Sequence, residues 1–211
     1  MFNDHYGLTQ AVLEGKKTMT RRLFNMTLHT EVEPGIFVET VADSLVLNED
    51  GTVYFVIGDK MAKVPAANQP QYKIGEIVAI AQKYEDIPDQ IADKNTIKID
   101  ALGWKNKMYV KADAMPHQIR ITGVKVERLQ DITQKDCLKE GVLSAYIGYY
   151  VPGIKCKDWE KESHVNTEDW HTWKLFPFPK EAFASLINKT CGKGTWEKNP
   201  WVYVYSFELV K

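Results

Sequence analysis

The chain has 211 residues, 44% of them hydrophobic and 26% charged, with 27 Lys and Arg against 28 Asp and Glu. Such a chain is long enough to bury a real core in one large domain. A net charge of −1 excludes a bulk electrostatic binder of nucleic acid, so any such contact must come from basic residues gathered on one face. Cys137, Cys156 and Cys191 are far apart and odd in number, which argues against a disulfide framework and for a reducing compartment. The five histidines show no spacing that suits a metal. The start MFNDHYGL lacks signal-peptide character, and no apolar run approaches the roughly 18 residues of a membrane span. These features predict a soluble, cytoplasmic protein with no metal, no other cofactor and no membrane partner.

Residues 8–14, LTQAVLE, suit a short helix with Thr9 as its cap and Gly15 as its stop. The helix runs directly into GKKTMTRR, which sets Lys16, Lys17, Arg21 and Arg22 among the hydroxyls of Thr18 and Thr20. A basic run after a helix is ordinarily a solvated turn. Packed together, though, four cations can meet an anion, or depress the pKa of one lysine by crowding it with like charge. The phosphate-loop pattern fails here, because Gln10 stands five residues before Gly15 and Lys17 follows Lys16 where Ser or Thr is required. In a regular strand Lys17 and Thr20 would face opposite ways, so a joint role requires a bend between them.

Residues 36–57 read as short strands with a hairpin turn at Asn48-Glu49-Asp50-Gly51, and residues 62–71 as a loop. YKIGEIVAIA at 72–81 gives a turn at Gly75 and an apolar strand, and KMYVKAD at 107–113 reads as another strand. HQIRITGVKVERL at 117–129 is long enough to bend at Gly123. Thr133–Gly141 is the clearest short helix, with Thr133 as cap and Gly141 as stop. Residues 143–178 are rich in aromatics, charge and Pro and read as an insertion; Ala182, Phe183, Leu186 and Ile187 then mark one helix face. WVYVYSFELV from Trp201 is apolar on both sides in its first half, as an interior strand is.

Four of these pieces, in order, resemble the ASCH domain family, a branch of the PUA-like superfamily: GKKTMTRR, YKIGEIVAI, VKVERLQDITQKDCLKEGV, and Phe183–Lys189 followed by TWEKNPWVYVYSFE. They cover roughly half of the chain, and the ending is similar to that of larger phage-type and bacterial members. The chain departs from larger members where they carry an Arg-Glu pair and a Trp, for here the residues are Ala81-Gln82-Lys83-Tyr84-Glu85. The resemblance implies an α+β fold, one PUA-like small β-barrel with flanking short helices. Insertions are expected at about 28–70 and 143–178.

The resemblance also implies RNA or a modified nucleoside as partner. Some small members are amidohydrolases that deacetylate N4-acetylcytidine, and their Lys, Thr and Glu fall on Lys17, Thr20 and Glu140. On that match Lys17 would take a proton from the Thr20 nucleophile, and Glu140 would orient the lysine or serve the leaving amine. Against it stands the plainer reading, in which Glu140 makes only an ion pair and Thr18 and Thr20 pack in a barrel wall. Lys16, Thr18, Arg21, Arg22 and Arg120 are the candidate ligand contacts, with Lys16, Arg21 and Arg22 expected as a positive patch. Trp104, Trp159, Trp170, Trp173 and the tyrosines of 146–150 are candidate base-stacking groups, whereas Trp196 and Trp201 are read as core. A phage-associated structural or protein-interaction module is the remaining alternative, and the sequence names no protein partner.

Overall fold

The computed structural model describes residues 2–24, 28–87, 102–158, 160–166 and 172–210. In chain order, α1 (Leu8–Leu13) leads to β1 (Met19–Leu23), β2 (Leu28–Glu33), β3 (Ile36–Thr40), β4 (Ser44–Leu47), β5 (Val53–Ile57), β6 (Lys60–Lys63) and β7 (Ile77–Ala79). Then come β8 (Gln118–Arg128), α2 (Gln134–Lys139), β9 (Leu143–Ala145), β10 (Gly148–Tyr150), β11 (His164–Asn166) and β12 (Thr172–Lys174). The chain closes with α3 (Pro179–Thr190), α4 (Thr195–Lys198) and β13 (Trp201–Leu209). The fold is therefore mixed and strand-rich, and its centre is a curled, antiparallel half-barrel sheet in the order β1-β13-β8-β7.

β13 holds that centre because it is apolar on both faces. Val202 and Val204 point into a cluster with Phe183, Leu186 and Ile187 of α3 and with Leu129, Ile132, Cys137 and Val151. Tyr203, Tyr205 and Phe207 point the other way, onto Ile80, Ile119, Ile121, Leu45, Val53 and Val64. Each large apolar side chain buried in this way is worth about 1.5–3 kcal/mol. The register between β13 and β8 shifts at Ser206/Phe207, opposite Gly123, so the bend expected at that glycine is a β-bulge that adds to the curl.

Segments 28–70 and 143–178 make small separate sheets, β2-β3, β4-β5-β6, β9-β10 and β11-β12. They do more than decorate the surface. Leu28, Leu45, Val53 and Val64 complete the tyrosine-side core, and Val151 and Ile154 complete the other. Among the described residues no helix is long and apolar enough to cross a membrane.

Two local expectations are corrected. α1 is preceded by Gly7 at φ 64°, and Thr9 lies inside the helix, its hydroxyl donating to Asp4 Oδ1 at 2.5 Å. The stretch 107–113 is not a strand but contains 3-10 turns at Lys107–Tyr109 and Ala112–Ala114. Asn106 Oδ1 accepts the Met108 N–H at 3.1 Å, and Met108 and Tyr109 are exposed, so no buried face favours extension.

Candidate functional site

The basic motif is drawn into the protein at its start. Gly15 turns the chain at φ 69°, after which the Lys17 N–H donates to Ala11 O (2.8 Å) and the Thr18 N–H to Lys139 O (3.0 Å). The second bond ties the motif to the end of α2. That helix is capped as its sequence predicts: Thr133 Oγ1 accepts the Asp136 N–H at 3.0 Å, and Gly141 ends the turn at φ 101°. A Cβ on Gly141 would lie 2.9 Å from Leu8 Cδ2 and 3.7 Å from Lys17 Cδ, so a glycine is what lets α2 close over the motif.

Lys17 and Glu140 meet in the space so formed. Lys17 Nζ donates to Glu140 Oε2 (2.7 Å), Glu140 O (2.8 Å) and Met19 O (2.7 Å), which uses all three ammonium hydrogens. Glu140 Oε1 accepts from Arg21 Nη1 at 2.9 Å. Arg21 Nε and Nη2 both donate to Glu127 Oε1, at 3.0 and 2.6 Å, and Glu127 Oε2 pairs with Lys125 at 2.6 Å. The Lys17, Arg21 and Glu140 side chains are 2%, 1% and 5% exposed, so this is an internal ionic chain and not a surface patch. Burial pulls the Lys17 pKa below the usual lysine value, the Glu140 charge resists, and Arg22 and Arg21 add to the depression.

Strand alternation then divides the motif. From Met19 onward, Met19 and Arg21 face α3 and its cluster, while Thr20 and Arg22 face the tyrosine side, opposite Tyr205 and Tyr203 in register. Thr20 and Arg22 line a small slot of about 80 Å³ whose other walls include Phe2, Tyr72, Ala81 and Tyr205. Tyr72 meets Tyr205 edge-on at 5.4 Å, and Phe2 meets Phe207 at 5.6 Å. The Thr20 hydroxyl has no hydrogen-bond partner among the described residues. Tyr72, Ala79 and Ala81 are shared with a neighbouring groove of about 560 Å³, walled further by Gln71, Lys107, Val110 and Met115.

Lys17 and Glu140 do not line the slot, and among the described residues no hydrogen bond joins Lys17 to Thr20. Phe2 is the link between the two places, since it walls the slot and its ring centre is 5.8 Å from Lys17 Nζ. The backbone carbonyl of Phe2 accepts from Lys107 Nζ, which also reaches Asp4 Oδ1 at 2.7 Å and Thr9 Oγ1 at 3.2 Å. Neither Phe2 nor Tyr72 carries a sequence signal for this role, because the slot is assembled from several distant segments. Beside Ala81, the Gln82 Oε1 atom is buried with no hydrogen-bond partner among the described residues.

The remaining candidates are scattered. Lys16 is exposed and paired with Glu14 at 2.6 Å, so Lys16, Arg21 and Arg22 do not form the one patch expected of them. Thr18 is half-buried, and Arg120 pairs with Glu208 at 3.1 Å on an exposed strand pair. Trp104 packs beside Tyr84, Ile87 and Met115, Trp173 is buried, and Tyr146 is fully exposed. Trp159 and Trp170 lie outside the described residues. Trp196 packs edge-on to Phe183 at 6.1 Å, and Trp201 donates its indole N–H to Ala42 O at 3.1 Å beneath the Arg128 guanidinium, so both serve packing. Among the described residues no group of three or more His, Cys, Asp or Glu is placed to hold a metal ion. Compared with protein-family models, curated proteins and solved structures, the chain matches none.

Proposed function

We propose that the chain binds RNA or a modified nucleoside, with the edge of a base entering the slot beside Thr20 and Arg22. The observation that carries this reading is the adjacency of a hydroxyl and a guanidinium on one strand face at an aromatic-walled cavity. A slot of about 80 Å³ admits only part of a base, and the groove beyond it has room for the sugar and its neighbours. Unpaired bases are held in this manner, by stacking on aromatic rings and by donors aimed at their edges. Glu140 then acts as a positioning residue: it fixes Lys17 and Arg21, and with them the strand that presents Thr20 and Arg22. The test is titration of a panel of nucleosides, N4-acetylcytidine included, and of a short single-stranded RNA. Thr20→Val and Arg22→Gln should each weaken binding by about tenfold or more. Binding untouched by both variants, or no binding to any member of the panel, counts against the slot.

A buried lysine with a lowered pKa, one ring away from that slot, favours a second reading as an amidohydrolase of an N4-acylated cytidine-type nucleoside. There Thr20 Oγ1 adds to the acyl carbon while Lys17, as neutral amine, takes its proton and returns it to the leaving nitrogen. Water then cleaves the acyl-threonine and releases the acid. This route requires Phe2 and the Lys17 hydrogen bonds to rearrange, which is why binding is placed first. Acetate release that disappears in Thr20→Val, in a protein that still binds, would promote the second reading.

A further inference from the structure

A second concavity, of about 540 Å³, shares no described residue with the slot and is lined by cations. Its walls include Lys155, Lys157, Lys174 and Lys189, together with His5 and Ser185; among the described lining residues the one carboxylate is Glu162. Glu162 is already balanced: Oε1 accepts from Lys174 Nζ at 2.8 Å and Oε2 from the Lys157 N–H at 3.0 Å. Lys155, Lys157 and Lys189 have no carboxylate within ion-pair distance among the described residues. The whole chain is −1, so this local excess of positive charge does not follow from composition.

The walls are built from separate, fixed parts. Lys155 is bridged to Trp173, and Lys174 donates its N–H to Ile154 O at 2.9 Å. Ser185 and Lys189 sit one turn apart on the same face of α3. Gly153, at φ 83°, lets the loop lie directly on the His5 carbonyl, where any Cβ would collide. Tyr6 and Ile154 are buried, and the His5 ring stands edge-on to Tyr6 at 4.8 Å. The result is a cup that combines buried Tyr6 and Ile154 with four lysines in its lining.

We propose that this cup binds the phosphate groups of a nucleotide-sized ligand. Its volume falls within the roughly 300–1,000 Å³ of small-molecule sites. Lysines around one concavity, as flexible point charges, suit a multivalent phosphate, whose oxygens accept from any direction, better than a planar carboxylate, which an arginine fork would match. The ligand is a free nucleoside polyphosphate or the phosphates of an RNA chain, and both present the same chemistry to the lysines.

The full chain is titrated at low salt, by calorimetry, with ATP, with inorganic phosphate and with an oligoribonucleotide lacking a terminal phosphate. The measurements are repeated on Lys155→Gln/Lys189→Gln and on Lys60→Gln/Lys63→Gln, whose exposed lysines lie on β6 away from the cup. The expected result is saturable one-to-one binding that falls about tenfold in the first variant and stays unchanged in the second. Preference for ATP makes the source a free nucleotide, and preference for the oligoribonucleotide makes it RNA. Equal loss in both variants, or no saturable binding of any of the three, overturns the assignment. Inorganic phosphate, which has no base for the slot, should bind Thr20→Val as it binds the parent chain, and that separates this site from the slot.

Discussion

Lys17 and Glu140 are 123 residues apart in the chain, yet Lys17 Nζ bonds both the carboxylate of Glu140 at 2.7 Å and its backbone carbonyl at 2.8 Å. The lysine thus caps the end of α2 while neutralising the side chain of the same residue. One buried ammonium joins the first motif to the helix after the long strand. The pair sits behind the slot, and its first consequence is for stability.

Lys17→Met should therefore destabilise the fold by about 3–5 kcal/mol, because it leaves Glu140 buried with only Arg21 to balance it. Glu140→Gln should cost a similar amount, with Lys17 then the uncompensated charge. Lys17→Met/Glu140→Gln should recover part of the loss, since both charges of the pair are gone. Denaturant unfolding of the two single variants and the double gives the coupling energy. Strictly additive effects would mean that the two side chains do not act as a pair.

How much of this was legible in the sequence depended on range. The Thr133 cap, the Gly141 stop and the two-sided apolar pattern of Trp201–Leu209 are local signals, and the structure follows them. The Lys17–Glu140 contact spans two halves of the chain, and only the family resemblance pointed to it. GKKTMTRR read as one cationic cluster because its turn into β1 at Met19 was not visible. Once that start is known, alternation alone sends Arg21 inward to Glu140 and Glu127 and leaves Arg22 on the slot. KMYVKAD misled because strand-like residues do not form a strand when Met108 and Tyr109 have nothing to pack on. The lysine cup had no sequence signal, since its cations come from β12, α3 and the segment between β10 and β11.

Acid should weaken the wall of the lysine cup. The Lys174 ammonium and the Lys157 N–H hold Glu162 down to about 2, against 4.5 for an ordinary glutamate. Between those values the unfolded chain binds a proton that the folded chain refuses. The stabilisation from Glu162 is therefore complete above pH 4.5 and is lost as the pH falls toward 2. Stability measured across that window should decline less steeply in Glu162→Gln than in the parent chain. Parallel profiles would mean that Glu162 has no special partner in the folded state.

Gly141 offers the sharpest test of how the ionic chain is assembled. Its φ of 101° lies where an L-residue is strained, which costs roughly 1–2 kcal/mol. A Cβ would also press on Leu8 Cδ2 at 2.9 Å, so the end of that buried side chain would have to shift. Gly141→Ala should therefore lose more than the backbone strain alone, about 2–4 kcal/mol in all. The close contact lies between α1 and the end of α2, so the change should also loosen the Lys17–Glu140 bond. Adding Leu8→Ala to Gly141→Ala should relieve the contact but not the strain, so the second change should cost less there than in the parent chain, where Leu8→Ala removes a buried side chain at full cost. A Leu8→Ala penalty that is the same in both backgrounds would show that α1 does not rest on Gly141 and that the closing of α2 over Lys17 is set elsewhere.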